Sequence, residues 1–151
     1  MKSRQDTLRV LLDTSFILPS LGVDVGGEVS EGLRKVVDAG AVMYYSTFSV
    51  LESLWVAARL SGGGAFDVET FSVGLRSVVE GGRYRKVEED SRTFSEALRL
   101  YVLGHRDIVD NILYVDSTSL DLNLLTVDDE LRVFIREKGL RDTLIFPGEL
   151  G

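Results

Sequence analysis

At 151 residues the chain has the length of one domain, roughly 100–150 residues being typical, and can bury a core without covalent staples. The absence of cysteine excludes disulfides, thiolate zinc sites and cysteine nucleophiles, and the single histidine, His105, excludes any site built on two imidazoles. Seventeen Lys and Arg against 24 Asp and Glu leave a net charge of −7, which argues against a general affinity for nucleic acid. No apolar run approaches the roughly 18 residues of a spanning helix, and the mixed charges of residues 1–9 do not resemble a leader peptide. The expectation is a soluble, reduced, cytoplasmic protein forming a single domain over residues 1–151.

The apolar run 8–12 stops sharply at Asp13-Thr14-Ser15, as a buried strand does where it turns into a capped helix. One or two helical turns are predicted through Leu21, with Pro19 tolerated early. After a loop, residues 28–39 form an amphipathic helix closed by Gly40, and 41–45 a second strand. Ser46 and Thr47 cap a helix running to about Leu60, and the triplet Gly62-Gly63-Gly64 breaks it. A helix over 67–79, a short strand over 84–87 and helices over 90–103 and 107–121 follow. The leucine- and valine-rich run 122–127 is a third clear strand, 128–138 a helix and 143–146 a last strand. Alternating strands and helices predict a three-layer α/β/α domain around a parallel sheet of four to five strands. In such sheets chemistry gathers at the carboxyl ends of the strands.

Acids stand at those ends. Asp13 follows the first strand, Asp128 follows the strand at 122–127, and the second strand feeds the helix that carries Glu52. Glu52 falls among Phe48, Leu51, Trp55 and Val56, on an apolar stripe where a bare charge is costly. It either reaches solvent at the stripe's edge or points into a polar site. Asp110, near the start of its helix with Asp107 and Asn111, is either a first-turn acid favoured by the helix dipole or part of that site. Small Ser117, seven residues on, leaves room on the same face. Asp13 and Asp128 are each equally readable as helix N-caps. Four acids arriving from separate elements need a compensating cation, and all-oxygen ligation suits Mg²⁺ or Mn²⁺.

The ordered set Leu11-Leu12-Asp13-Thr14-Ser15-Phe16, Val50-Leu51-Glu52, Asp110 and Leu125-Thr126-Val127-Asp128 resembles the PIN domain family, compact α/β ribonucleases that include the VapC toxins of toxin–antitoxin pairs. The resemblance runs from about Arg9 to Phe146. It implies that Asp13, Glu52, Asp110 and Asp128 form a catalytic quartet binding one or two divalent metals. Thr14 or Ser15, and Thr126, would match supporting hydroxyls, with Asp107 and Asp129 as extra nearby acids. It further implies a metal-dependent endoribonuclease leaving a 5′-phosphate and a 3′-hydroxyl, an RNA substrate, an antitoxin partner and a homodimer. The apolar material available for that dimer is Phe16, Ile17, Leu18 and Pro19 together with Phe71, Val73 and Leu75, which either form the interface or close the monomer core.

RNA contact is expected from Arg83, Arg85, Lys86 and Arg92, or from Arg132, Arg136, Lys138 and Arg141. His105 is expected in a surface loop, and Phe48, Trp55 and Tyr101 in the core. Two other readings compete: a catalytically silent scaffold of the same fold, and a receiver- or phosphatase-type aspartate domain. The latter wants a lysine near the last strand, whereas Lys138 lies ten residues past Asp128, in a helix.

Overall fold

The computed structural model describes residues 7–151; most of the stretch 1–9, expected not to be a leader peptide, lies outside them. Five strands, β1 (Arg9–Leu12), β2 (Val42–Tyr45), β3 (Tyr84–Lys86), β4 (Asn123–Leu125) and β5 (Leu144–Ile145), form one sheet in the order β3-β2-β1-β4-β5. Every pairing is parallel, with Leu11 opposite Tyr44 on one side and Leu124 on the other. The helices are α1 (Thr14–Ile17), α2 (Gly27–Asp38), α3 (Thr47–Ser61), α4 (Val68–Glu80), α5 (Ser91–Leu103), α6 (Ile108–Leu120) and α7 (Asp129–Glu137). Short 3₁₀ turns at Leu18–Leu21 and Pro147–Glu149 complete the chain. The predicted α/β/α class is the observed one, with strands shorter than the apolar runs that announced them.

Successive strand residues face opposite sides, so a parallel sheet covered on both faces needs apolar residues at consecutive positions. β1 meets this demand. Val10 and Leu12 join the core formed with α1 to α4, including Phe16, Val36, Phe71 and Val78. Leu11 joins the core on the other face, with Leu113, Leu131 and Ile135 from α6 and α7. β4 divides in the same way, Leu125 to the first face and Leu124 to the second. The central strand is therefore fixed from both sides, and so is the chain that leaves its end at Asp13. Gly74 lets α4 close on the 3₁₀ turn: a Cβ there would lie 2.5 Å from the Ser20 carbonyl oxygen.

Burial corrects the assignment of the dimer surface. Phe16, Ile17, Leu18 and Phe71 are core residues, leaving Val73 as the open apolar side chain of that set. The apolar side chains left exposed lie instead mainly on α3 (Leu51, Leu54, Trp55) and α5 (Phe94, Leu98, Tyr101, Val102). Phe48 and Phe94 join the two helices edge to face at 5.5 Å. Trp55 and Tyr101 are thus surface residues, not core. No helix among the described residues is long and apolar enough to cross a membrane.

One acid is buried away from the strand ends. Asp116 of α6 is 2% exposed, and its Oδ2 faces no donor. Its neighbour is the Glu89 carboxyl, which also accepts from Ser46 Oγ at 2.6 Å. Burial, then the hydrogen bond with Glu89 and the charges of Glu89 and Asp90, pushes Asp116 up to about 9, which favours its protonated form at neutral pH. The unfolded chain releases that proton near the ordinary aspartate value of about 3.9. Stability therefore falls as pH rises from there toward the folded value. Asp116→Asn supplies a permanent N–H donor in place of the proton. With chelator present, its unfolding free energy should fall less than that of the parent between pH 6 and 8.5, by up to about 1.4 kcal/mol per pH unit, the limit for one proton. Parallel curves would show that no proton is held there.

Candidate metal centre

Asp13 and Asp128 stand just past β1 and β4, neighbours in the sheet, and each opens a helix. The Thr14 N–H donates to Asp13 Oδ1 at 2.7 Å and the Leu131 N–H to Asp128 Oδ1 at 3.2 Å. Both residues are therefore N-caps, and capping leaves lone pairs on each carboxylate for a further partner. Glu52 comes from the second turn of α3, whose buried face is Ser49, Ser53 and Ala57. These small residues let α3 pack closely while the bulky apolar side chains turn outward, so Glu52 is half-buried beside the sheet end and not on a greasy stripe. Asp110 sits in the first turn of α6, its N–H donating to the cap residue Asp107 at 3.0 Å.

Asp110 is the meeting point. Carboxylate oxygens of Asp13, Glu52 and Asp110 lie within 4.8 Å of one another, close enough to share one ion. A second set sharing Asp110, with Asp128 and a ring nitrogen of His105, meets the same limit. The predicted hydroxyls hold the acids in place. Thr14 Oγ1 donates to Glu52 Oε1 in a short contact, and buried Thr126 Oγ1 donates to Asp13 Oδ2 at 2.8 Å while accepting from the Asp128 N–H at 3.1 Å. Thr126 thus ties the two strand ends together through one oxygen. Ser15 lines the same cleft, a cavity of about 340 Å³, without a hydrogen bond to the acids among the described residues.

The cluster resists ionisation. Burial, first of all, raises Asp13 to about 6, with the charges of Glu52 and Asp128 adding to it against the hydrogen bonds from Thr126 and Thr14. Burial raises Glu52 too, opposed by Thr14 and helped by the charge of Asp107. Asp110 is raised furthest, by burial, the Asp13 charge, a hydrogen bond with Asp128 and the charges of Asp107 and Asp128. Asp107 therefore acts on the site through its field and as the cap of α6. Protons are the weakest available answer to this repulsion; a divalent cation answers all the charges at once. Closely set oxygen donors, anchored by hydroxyls, suit a hard cation.

Three residues of the site escaped the sequence reading. Trp55, 55% exposed, and Arg59 line the cleft on the face of α3 that carries Glu52, three and seven residues on. That helical spacing was legible, but the tryptophan's bulk argued for core. Arg59 is the one cation among the described residues lining the cleft. His105, expected in a surface loop, is 8% exposed and packs on Phe134. Ser117 does not make room beside Asp110. It lies about two turns away and bonds the Tyr114 carbonyl and Thr143. Of the two basic clusters, Arg132, Arg136 and Arg141 are engaged with Glu149, Asp142 and Asp121; in the other, Arg83, Arg85 and Lys86 are exposed on and beside the edge strand β3, with Lys86 3.8 Å from Glu88.

The fold is shared with chains from two crystal structures. One comes from VapBC2 of Rickettsia felis bound to a DNA fragment from their promoter, with a TM-score of 0.61 and 10% identity over 92% of this chain and 97% of that one. The other comes from FitAcB of Neisseria gonorrhoeae, with a TM-score of 0.57 and 16% identity over 93% and 99%. At such identities the likeness is one of fold. No family model matches the sequence. No curated protein matches it either.

Because the cluster holds protons that a cation must displace, binding should strengthen as pH rises. Mn²⁺ should raise the melting temperature more at pH 8 than at pH 5.5, and calorimetry near pH 6 should show proton release that varies with the buffer's ionisation enthalpy. Equal stabilisation at both pH values would mean that the carboxylates are not the ligands.

Proposed function

We propose that this chain is a cytoplasmic, divalent-metal-dependent endoribonuclease hydrolysing RNA phosphodiesters, acting as the toxin of a toxin–antitoxin pair. The observation that carries the reading is the convergence of Asp13, Glu52 and Asp110 within ion-sharing distance at the carboxyl edge of the sheet, with Asp128 beside them. Mg²⁺ or Mn²⁺ bound there would supply a water of lowered pKa and positive charge at the reacting phosphate.

The chain's own residues would do the rest. Asp13, Glu52, Asp110 and Asp128 would hold the cation, whose positive charge would draw the phosphate to the cleft. Thr14 and Thr126 keep Glu52 and Asp13 in the ligating orientation. Arg59 offers a guanidinium to a phosphate of the substrate strand, and Trp55 a face on which an unstacked base can rest. The acids repel a bare polyanion, so binding requires the metal and the local Arg59 charge, which reconciles an RNA substrate with a net charge of −7. The fold shared with the VapBC2 and FitAcB chains supports the class of partner. An antitoxin or a second copy of the chain would find its apolar surface on α3 and α5. The receiver-type reading lacks support, since no lysine is among the cleft-lining residues described.

Single-stranded RNA should be cut in the presence of Mn²⁺ and left intact with chelator. Asp13→Asn and Asp110→Asn should each lower the rate at least about 100-fold with the circular dichroism unchanged, roughly the loss of 2.7 kcal/mol of transition-state stabilisation. Undiminished cleavage by either variant, or cleavage in chelator, would refute the assignment.

Trp55 is the only tryptophan, so its fluorescence reports on this cleft alone. With Ca²⁺ replacing Mn²⁺, an RNA oligonucleotide should quench it, and Arg59→Ala should weaken binding several-fold. Binding seen by anisotropy with unaltered fluorescence would route the strand elsewhere.

A further inference from the structure

His105 is held in a way its neighbours alone do not require. α5 ends at Gly104, whose φ of +128° suits glycine, and the N–H groups of Gly104 and His105 both donate to the Leu100 carbonyl. The turn delivers the imidazole beneath α6 against fully buried Asn111. The Asn111 amide nitrogen donates to the carbonyls of Ala97, at 3.2 Å, and His105, at 2.8 Å, which fixes the amide's orientation. Its Oδ1 therefore faces His105 Nδ1 at 2.8 Å and can only accept. Nδ1 thus carries the hydrogen, and the ring's lone pair lies on Nε2. Nε2 has no hydrogen-bond partner among the described residues, and one nitrogen of the ring lies within 4.8 Å of carboxylate oxygens of Asp110 and Asp128. A histidine that donates one ring N–H to a buried amide oxygen, keeps the other nitrogen free of hydrogen bonds and stands beside carboxylates is arranged as ligating histidines are.

We infer that His105 Nε2 is a nitrogen ligand to a second divalent cation held with Asp110 and Asp128, and that it biases this position toward a first-row transition metal over Mg²⁺. The inference rests on the metal-dependent reading of the acidic cluster and divides it into two positions. Asp13, Glu52 and Asp110 offer oxygen only, as Mg²⁺ and Mn²⁺ accept. Asp110, Asp128 and His105 add an imidazole, a donor that favours transition ions. Asp110 belongs to both and would bridge them. Asn111 is the positioning residue that fixes the tautomer.

The single histidine makes the test direct, because the imidazole region of a ¹⁵N–¹H correlation spectrum contains this residue alone. Adding Zn²⁺ to the full chain should move the Nε2 resonance and leave Nδ1 protonated, whereas Mg²⁺ should leave both in place. By calorimetry the parent should bind two Mn²⁺ and His105→Gln should lose or weaken one of them at least about 10-fold, with the other unchanged. An Nε2 resonance indifferent to Zn²⁺, with Mn²⁺ stoichiometry unaltered in His105→Gln, would overturn the inference; the first measurement needs no variant to fold. A zinc-shifted imidazole in a protein that cuts no RNA would uphold the ligand and refute the ribonuclease. RNA cleavage with an unmoved imidazole would do the reverse.

Discussion

Carboxylates from two strand ends and two helix starts are brought so close that they cannot all carry charge unaided, and this repulsion explains much of the surrounding structure. Buried like charges a few ångströms apart are costly in a poorly solvating environment. The fold meets that cost partly with donors: the Thr14 hydroxyl on Glu52, the Thr126 hydroxyl on Asp13, and first-turn N–H groups of α1 and α7, from Thr14 and Leu131, on Asp13 and Asp128. Burial first, and then the neighbouring negative charges, raise Asp13, Glu52 and Asp110 above the ordinary carboxylate range, and a divalent cation would satisfy what the donors leave unanswered.

The rigidity needed to keep such a cluster together comes from the central strand. Val10 and Leu12 are locked into one core and Leu11 into the other, so Asp13 leaves β1 with little freedom. β4 lies beside it in register, Leu12 opposite Leu125, and Thr126 then bridges to Asp13. Glu52 and Asp110 arrive from opposite layers, α3 on the face of the first core and α6 on the second. The site is thus where the three layers meet at the sheet's carboxyl edge, and loss of packing on either face would loosen it.

The parallel sheet and the acids at its ends were legible because consecutive apolar residues followed by Asp carry both messages at once: burial on two faces, then a cap. The cap and ligand readings of Asp13 and Asp128 were not alternatives, since one oxygen can serve the helix while lone pairs remain. Burial on helices was less legible. α3 packs through Ser49, Ser53 and Ala57, so its large apolar side chains, Trp55 among them, are outside, where hydrophobicity alone would not put them. The converse holds for Phe16, Ile17, Leu18 and Phe71, assigned to a dimer surface but buried in the core where hydrophobicity alone would put them. His105 was illegible for a different reason: its place depends on a glycine turn and on an asparagine whose amide is oriented by two carbonyls, a tertiary arrangement with no periodic signal.

The central claim is that Asp110 gathers carboxylates around a divalent cation. Anomalous diffraction from crystals grown with Mn²⁺ tests it most directly. The account predicts a manganese peak within coordination distance of Asp13, Glu52 and Asp110, with Thr14 and Thr126 still donating to their carboxylates. Carboxyl groups hydrogen-bonded to one another with no peak between them, and manganese bound only elsewhere on the surface, would contradict it.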